Sequence, residues 1–343
     1  MDGMRKSRWW FWGGLVAGLA LAAVAVERRR ARMAQVQRNR QVKVLVVGAG
    51  VVGSTYAARL ARWGMEVTLL ARGERLQGLL AHGLVLRSAL TRRQRSWPVR
   101  VVAAVSPAEE YDLVLVAVRH TQVQGALAAI VPLAETTPIL FLQHNPVGPE
   151  PLAQALGQPH VLLGFPATGG LRVRGEIVSL PFWLGATVIG ESNGAHTQRL
   201  HQARTILQRA GFKVRVERRI VAWLKTQAAL EAVLAGCLYR NGGDLRRLAA
   251  APQELALYRE ALGEARQVLA AQGIRFDLGA APPRAARALL RLAGALPGVG
   301  LLAQSRLEHA ADEFRALHEQ LLAAAGGLPV PALRSLGAYF PAG

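Results

Sequence analysis

Apolar positions change their spacing twice along this chain. Trp9 to Val26 is a run of 18 uncharged, mostly apolar residues. As a helix rising ~1.5 Å per residue it would reach ~27 Å, close to the ~30 Å hydrocarbon thickness of a bilayer. From about residue 41 to 216, short β-branched runs alternate with amphipathic stretches. Residues 43–47, 66–71, 112–118 and 137–142 read as strands buried on both faces, with helices over about 54–63 and 120–131 between them. Such alternation predicts a mostly parallel sheet. The stretch 173–189, with Gly175 and Gly185, reads as antiparallel strands extending that sheet, before a helix over about 195–211 and a strand at 213–217. Past residue 217 the period turns helical: Ile220, Leu224, Ala228, Glu231, Leu234 and Leu238 mark one helix. The Ala- and Leu-rich remainder supports others at about 250–272, 283–294 and 302–325, punctuated by prolines. The expected architecture is α/β: a hydrophobic helix and basic linker over 1–40, a parallel-sheet domain over 41–216 and an all-α domain over 217–343.

Composition narrows the function classes. A chain of 343 residues, 51% hydrophobic, is long and apolar enough for two cored domains and too apolar for disorder; it shows no repeat, collagen or coiled-coil period. The single cysteine, Cys237, excludes an internal disulfide and a cysteine-rich metal site. His309 and His318 have no cysteine or carboxylate pattern beside them, so no metal is expected. The formal net charge is +20, yet only four of the 42 basic residues are lysines (Lys6, Lys43, Lys213, Lys225). No basic run is dense enough for a nucleic-acid arm, so nucleic acid is not an expected partner and an anionic cofactor or an acidic membrane surface is. Trp9, Trp10 and Trp12 suit a headgroup region, with Arg5, Lys6 and Arg8 outside them. On the far side Arg28, Arg29, Arg30, Arg32, Arg38 and Arg40 outnumber those. If retained, residues 9–26 therefore attach the protein to the cytoplasmic side of the inner membrane; otherwise it is cytoplasmic. A signal peptide cleaved after Ala23-Val24-Ala25 and a true start at Met33 are the other two readings of this segment.

The chemistry begins at the end of the first strand run, in Gly48-Ala49-Gly50-Val51-Val52-Gly53. In a Rossmann turn the first glycine turns the chain, the second lets backbone approach a pyrophosphate and the third lets the helix lie close on the sheet. The helix N-terminus then offers free N–H groups to the phosphates. After the second strand an NAD enzyme places an acid for the ribose 2′-hydroxyl, whereas this chain has Arg72-Gly73-Glu74-Arg75. A guanidinium there suits a 2′-phosphate, which favours NADPH with Arg72 as the first clamp and Arg75 as the second. Ligands collect at the carboxyl ends of parallel strands, where Arg119, Gln122, Gln143, His144 and Asn145 fall. His120 and His144 are acid–base candidates by type, although a histidine beside a strand end more often bonds locally.

These residues resemble the ketopantoate reductase (2-dehydropantoate 2-reductase) family. The resemblance lies in the glycine turn, in Arg72, in Val118-Arg119-His120-Thr121-Gln122 where the family has Val-Lys-x-x-Gln, and in His144-Asn145-Pro146-Val147-Gly148 where it has Asn-Gly-x-Gly. It extends over roughly 41–335 and implies an NADPH-binding Rossmann domain joined to a helical domain, with reduction of a 2-oxo acid-like carbonyl compound between them; a homodimer is a separate expectation. It places Asn145 beside the nicotinamide and substrate, Arg119 and Gln122 along the cofactor, Lys225 as active-site lysine and Glu313 as substrate-binding acid. An alkoxide needs a cation and a proton, and a lysine supplies both. The family's pocket asparagines fall on Ala229 and Val233, and its Thr-Glu-Ile-Asp on Ala310-Ala311-Asp312-Glu313. Methyl groups in place of polar contacts point to a more apolar ketone. They also motivate an alternative, a catalytically inactive, membrane-tethered NADP-binding sensor or scaffold.

Overall fold

The computed structural model describes residues 24–89, 91–173, 176–181, 185–275, 291–292 and 307–341. Its strands are β1 (Lys43–Val47), β2 (Glu66–Leu70), β3 (Leu84–Ser88), β4 (Gln94–Trp97), β5 (Arg100–Val102) and β6 (Leu113–Val116). They continue with β7 (Ile139–Leu142), β8 (Leu162–Phe165), β9 (Thr168–Val173), β10 (Glu176–Pro181), β11 (Thr187–Glu191) and β12 (Val214–Val216). In β1 and β2 a single exposed residue precedes four buried ones, the signature of a strand covered on both faces. The eight-stranded sheet runs β12-β11-β8-β7-β6-β1-β2-β5. Every pair in it is parallel except β8 with β11. From β1 the chain steps to β2 on one side and later returns to β6 on the other. The carboxyl ends of β1 and β6 therefore flank the point where strand order reverses, the place such sheets hold ligands.

The antiparallel hairpin at 168–181 corrects one expectation. It does not extend the main sheet but joins β3 and β4 in a second sheet of order β4-β3-β10-β9, with β10 parallel to β3. This hairpin lies over the helix that follows the glycine turn. A Cβ added to Gly170 would stand 3.0 Å from Val51 Cγ1, an approach that glycine permits. Only β11 continues the large sheet, antiparallel to β8.

The long helix Ile220–Arg240 belongs to both cores. Ile220 and Leu224 pack into the sheet, while from Ala228 onward its buried residues pack with the helices Pro252–Ala271, Ala311–Ala325 and Pro331–Gly337. Small side chains bring these helices close, and a Cβ on Gly236 would lie 3.0 Å from Leu336 Cβ. Among the described residues this is the one helix long and apolar enough to cross a membrane, and 56% of its apolar window is buried inside the protein, as befits a core helix. Of the N-terminal apolar run, residues 9–23 lie outside the described residues. Residues 24–39 are helical, and the buried Asn39 amide donates to Trp63 O at 2.8 Å.

In the carboxyl half, the single helix expected over 302–325 is interrupted at Ala310 (φ −129°, ψ 26°). Asp312 and Glu313 thereby enter the first turn of Ala311–Ala325, where the positive end of the helix dipole favours carboxylates. The helix expected at 283–294 lies, apart from 291–292, outside the described residues. Further along Ala311–Ala325, His318 is 2% exposed and packs on Phe340, and neither ring nitrogen has a hydrogen-bond partner. Burial pulls its pKa down to about 4. The unfolded chain, titrating near ~6.5, then binds the proton first, so His318 lowers stability as pH falls from there toward 4. His318→Leu is expected to gain on the wild type between pH 8 and pH 5 in denaturant midpoint. A pH-independent difference would contradict a neutral buried imidazole.

Candidate functional site

The glycine turn is built by contact. Gly48 adopts φ +104°, and a Cβ there would meet Ala117 O at 2.8 Å, at the carboxyl end of the neighbouring strand. A Cβ on Gly53 would lie 1.8 Å from Gly48 O, so the third glycine is what lets the helix Val51–Arg62 start against the turn. Gly50 differs: a Cβ there meets nothing within 4 Å, because the position faces an open cleft. Gly50 caps this helix without a side-chain hydrogen bond, leaving the first-turn amides free for an anion. A phosphate would occupy the space that a Cβ on Gly50 would fill, so the residues present fit a dinucleotide.

That cleft measures about 1280 Å³, more than the ~300–1,000 Å³ of ordinary small-molecule pockets. It has room for a dinucleotide and a small second molecule. One wall is the glycine turn with Arg72 and Arg75, and another is the second sheet from Thr168 to Arg172. Trp223, Gln227 and Glu231 of the long helix and Glu313 close the far end. Arg72 donates to Gly125 O at 2.7 Å, and Arg75 braces the turn by donating to Ala49 O at 3.0 Å and Ser54 Oγ at 3.3 Å. Burial and, after it, Arg172 push the Arg75 pKa down, which marks a region short of negative charge. Arg119 ties the two halves together through Asp312 and His309 O.

At the floor of the cleft four titratable side chains meet. His144 Nδ1 lies 3.0 Å from Glu313 Oε1, and its Nε2 lies 3.3 Å from Glu231 Oε2. His120 Nδ1 stands 3.5 Å from the same Glu313 oxygen. Burial alone disfavours the His144 imidazolium, yet Glu231 and then Glu313 outweigh it and lift the pKa to about 9. Burial likewise favours the neutral acid of Glu313, but His120 and His144 hold it well below the usual carboxylate range. Phe165 packs edge-on against His144, and Trp223 against Phe165, giving the floor an aromatic side.

The sequence-derived residues divide between cleft and core. Gly48, Gly50, Val51, Val52, Arg72, Arg75, Arg119, Gln122 and Glu313 line the cleft. Gly53 sits behind the turn it permits. Asn145 is 5% exposed and is not part of the cleft lining, and its Nδ2 lacks a hydrogen-bond partner. Lys225 also lies off the cleft, its ammonium donating to Gln272 Oε1 at 3.0 Å. At about 100° per residue, 223, 227 and 231 share the cleft face, whereas 225, 229 and 233 share another, and Ala229 and Val233 are buried among the helices. The strand β9 wall, with Arg172, has no signal in the sequence beyond its glycines. The meeting of His144 with Glu231 and Glu313 joins residues 87 and 169 positions apart, which no local spacing reveals.

Comparison with known proteins agrees with this geometry. Residues 44–194 match the family described as ketopantoate reductase PanE/ApbA. A 2-dehydropantoate 2-reductase of Pyrococcus horikoshii is 23% identical over 248 residues, 69% of this chain and 76% of that protein. Among solved structures, a PanE/ApbA family ketopantoate reductase from Ralstonia eutropha JMP134 superposes with TM-score 0.67 at 26% identity, covering 87% of this chain and 96% of the other. A D-mandelate dehydrogenase solved with NADH and anilino(oxo)acetate shares the fold, with TM-score 0.69 at 17% identity over 87% of this chain and 97% of its own. These relatives are named as reductases or dehydrogenases.

Proposed function

We propose that this chain, whose residues 44–194 match the ketopantoate reductase PanE/ApbA family, is an oxidoreductase that reduces a small carbonyl compound with NADPH. The observation that carries this reading is the glycine turn at the strand-order reversal, facing a cleft large enough for cofactor and substrate together. When bound, the reduced nicotinamide supplies a hydride to the carbonyl carbon. The first-turn amides of Val51–Arg62 would hold the pyrophosphate, and Arg75 keeps the turn in place. Arg72 would meet the 2′-phosphate, and Arg119 and Gln122, which line the same cleft, would flank the cofactor. Phe165 and Trp223 exclude water from the floor and favour an apolar substituent on the carbonyl compound. The domain division at 216/217, a cytoplasmic location and a homodimer belong to the same reading.

The test is oxidation of NADPH and NADH against a panel of 2-oxo acids and apolar ketones, with calorimetry for binding. Arg72→Ala is expected to weaken NADPH by at least about tenfold, the equivalent of one charge-assisted contact, and to leave NADH nearly unchanged. Equal losses for the two cofactors would remove the 2′-phosphate assignment.

A further inference from the structure

We propose that His144, clamped between Glu231 and Glu313 in the cleft wall, is the cation and proton donor of the reduction. The proposal rests on the reductase reading above and gives His144 the role that family resemblance assigned to Lys225. Glu313 Oε1 accepts from Nδ1 at 3.0 Å, and Phe165 holds the ring edge, so the imidazole has a set orientation. Its Nε2 faces Glu231 Oε2 at 3.3 Å without a well-aligned hydrogen bond, and that nitrogen is buried. A buried N–H with only a poorly directed acceptor gains when a better one arrives. Glu231 is the more exposed of the two carboxylates, its side chain 19% exposed against 11% for Glu313.

Three elements place titratable groups around His144, while Phe165 of β8 packs on the ring without charge. The long helix brings Glu231, the helix Ala311–Ala325 brings Glu313, and the turn after β6 brings His120 onto Glu313. One step further out Arg119 is paired with Asp312. Two carboxylates against one central imidazole keep it protonated across neutral pH.

A substrate carbonyl oxygen displaces the Glu231 carboxylate and accepts from Nε2–H. As hydride from the reduced nicotinamide dinucleotide of the reading above adds to the carbonyl carbon, its C–H bond to the ring breaking and the dinucleotide being left oxidised, the C=O π pair moves onto oxygen. The new O–H bond forms as the Nε2–H bond breaks. Alcohol and neutral imidazole result, and His144 regains its proton from solvent. The imidazolium charge stabilises the alkoxide as it develops.

In the full chain, His144→Gln is expected to lower kcat/KM by about 10²–10⁴-fold, the usual worth of a general acid, with NADPH binding by calorimetry unchanged. Lys225→Ala is expected to lose far less. A readout independent of turnover is the ring C–H titration of His144 by NMR in the cofactor-free protein, with a midpoint near 9. Glu231→Gln removes one carboxylate, so that midpoint and the alkaline limb of kcat/KM should fall together by about one unit or more, while turnover at lower pH persists. A His144 midpoint at or below the ordinary histidine value overturns the proposal, as does full turnover in His144→Gln. Loss of turnover in Glu231→Gln as deep as in His144→Gln overturns direct transfer. Wild-type protein that binds no reduced nicotinamide dinucleotide removes the reductase reading and this proposal together, an outcome distinct from turnover that ignores His144.

Discussion

Gly50→Ala is expected to fold with wild-type stability and yet lose about 10- to 100-fold in affinity for NADPH, because its methyl group would enter space reserved for the pyrophosphate. Position 50 has φ −73°, which any residue adopts, and a Cβ there touches no protein atom. Whatever Gly50→Ala removes is therefore binding and not folding. Gly53→Ala should behave otherwise. Its Cβ would sit 1.8 Å from Gly48 O, and since that atom is backbone the turn itself must move. Overpacking at such a site costs about 3 kcal/mol or more, and affinity should fall with stability. Calorimetry with NADPH beside denaturant unfolding distinguishes the two variants. Equal, undiminished binding in Gly50→Ala would show that the cofactor does not lie across the turn.

Glu313→Gln is expected to lose about 3 kcal/mol at pH 6, since it removes one partner of a buried ion pair and leaves His144 with Glu231 alone and His120 with no carboxylate opposite it. The side chain is 11% exposed and serves two histidines. His144 has a folded pKa of about 9 against ~6.5 in the unfolded chain. Its contribution is therefore full below ~6.5 and is lost as pH rises through 9. Glu313 is held below the ordinary carboxylate value of about 4.5, so its contribution is present above that value and is lost as pH falls beneath it. Both describe one interaction and are not added. The deficit of Glu313→Gln should be largest between about pH 4.5 and 6.5 and should narrow on either side. Denaturant midpoints at pH 3.5, 6 and 9.5 check this, and a deficit constant across that range would separate Glu313 from the histidines.

Residues whose job is local were legible in the chain. The buried runs of β1, β2, β6 and β7 and the glycine spacing each owe their role to neighbours within a few positions, where periodicity and turn chemistry act. Strands β3, β4 and β5 were not legible. They are short and partly exposed, so their residues alternate weakly, and β10, within the stretch 173–189, was consequently expected in the main sheet and not beside β3. Lys225 shows the same limit from another direction. A helix offers the same lysine whichever way it is turned, and its rotation is set by what the remaining faces pack against. Here Ala229 and Val233 go into the helical core, and Trp223, Gln227 and Glu231 face the cleft.

The sequence alone determined that a dinucleotide-type turn opens an α/β domain and that a helical domain follows, because backbone freedom at glycine and the spacing of apolar residues are properties of short segments. Tertiary structure decided which charges share the cleft floor. His144, Glu231 and Glu313 come from three separate elements, and the shifts in their proton affinities arise from burial and distance, quantities that exist only once those elements have packed.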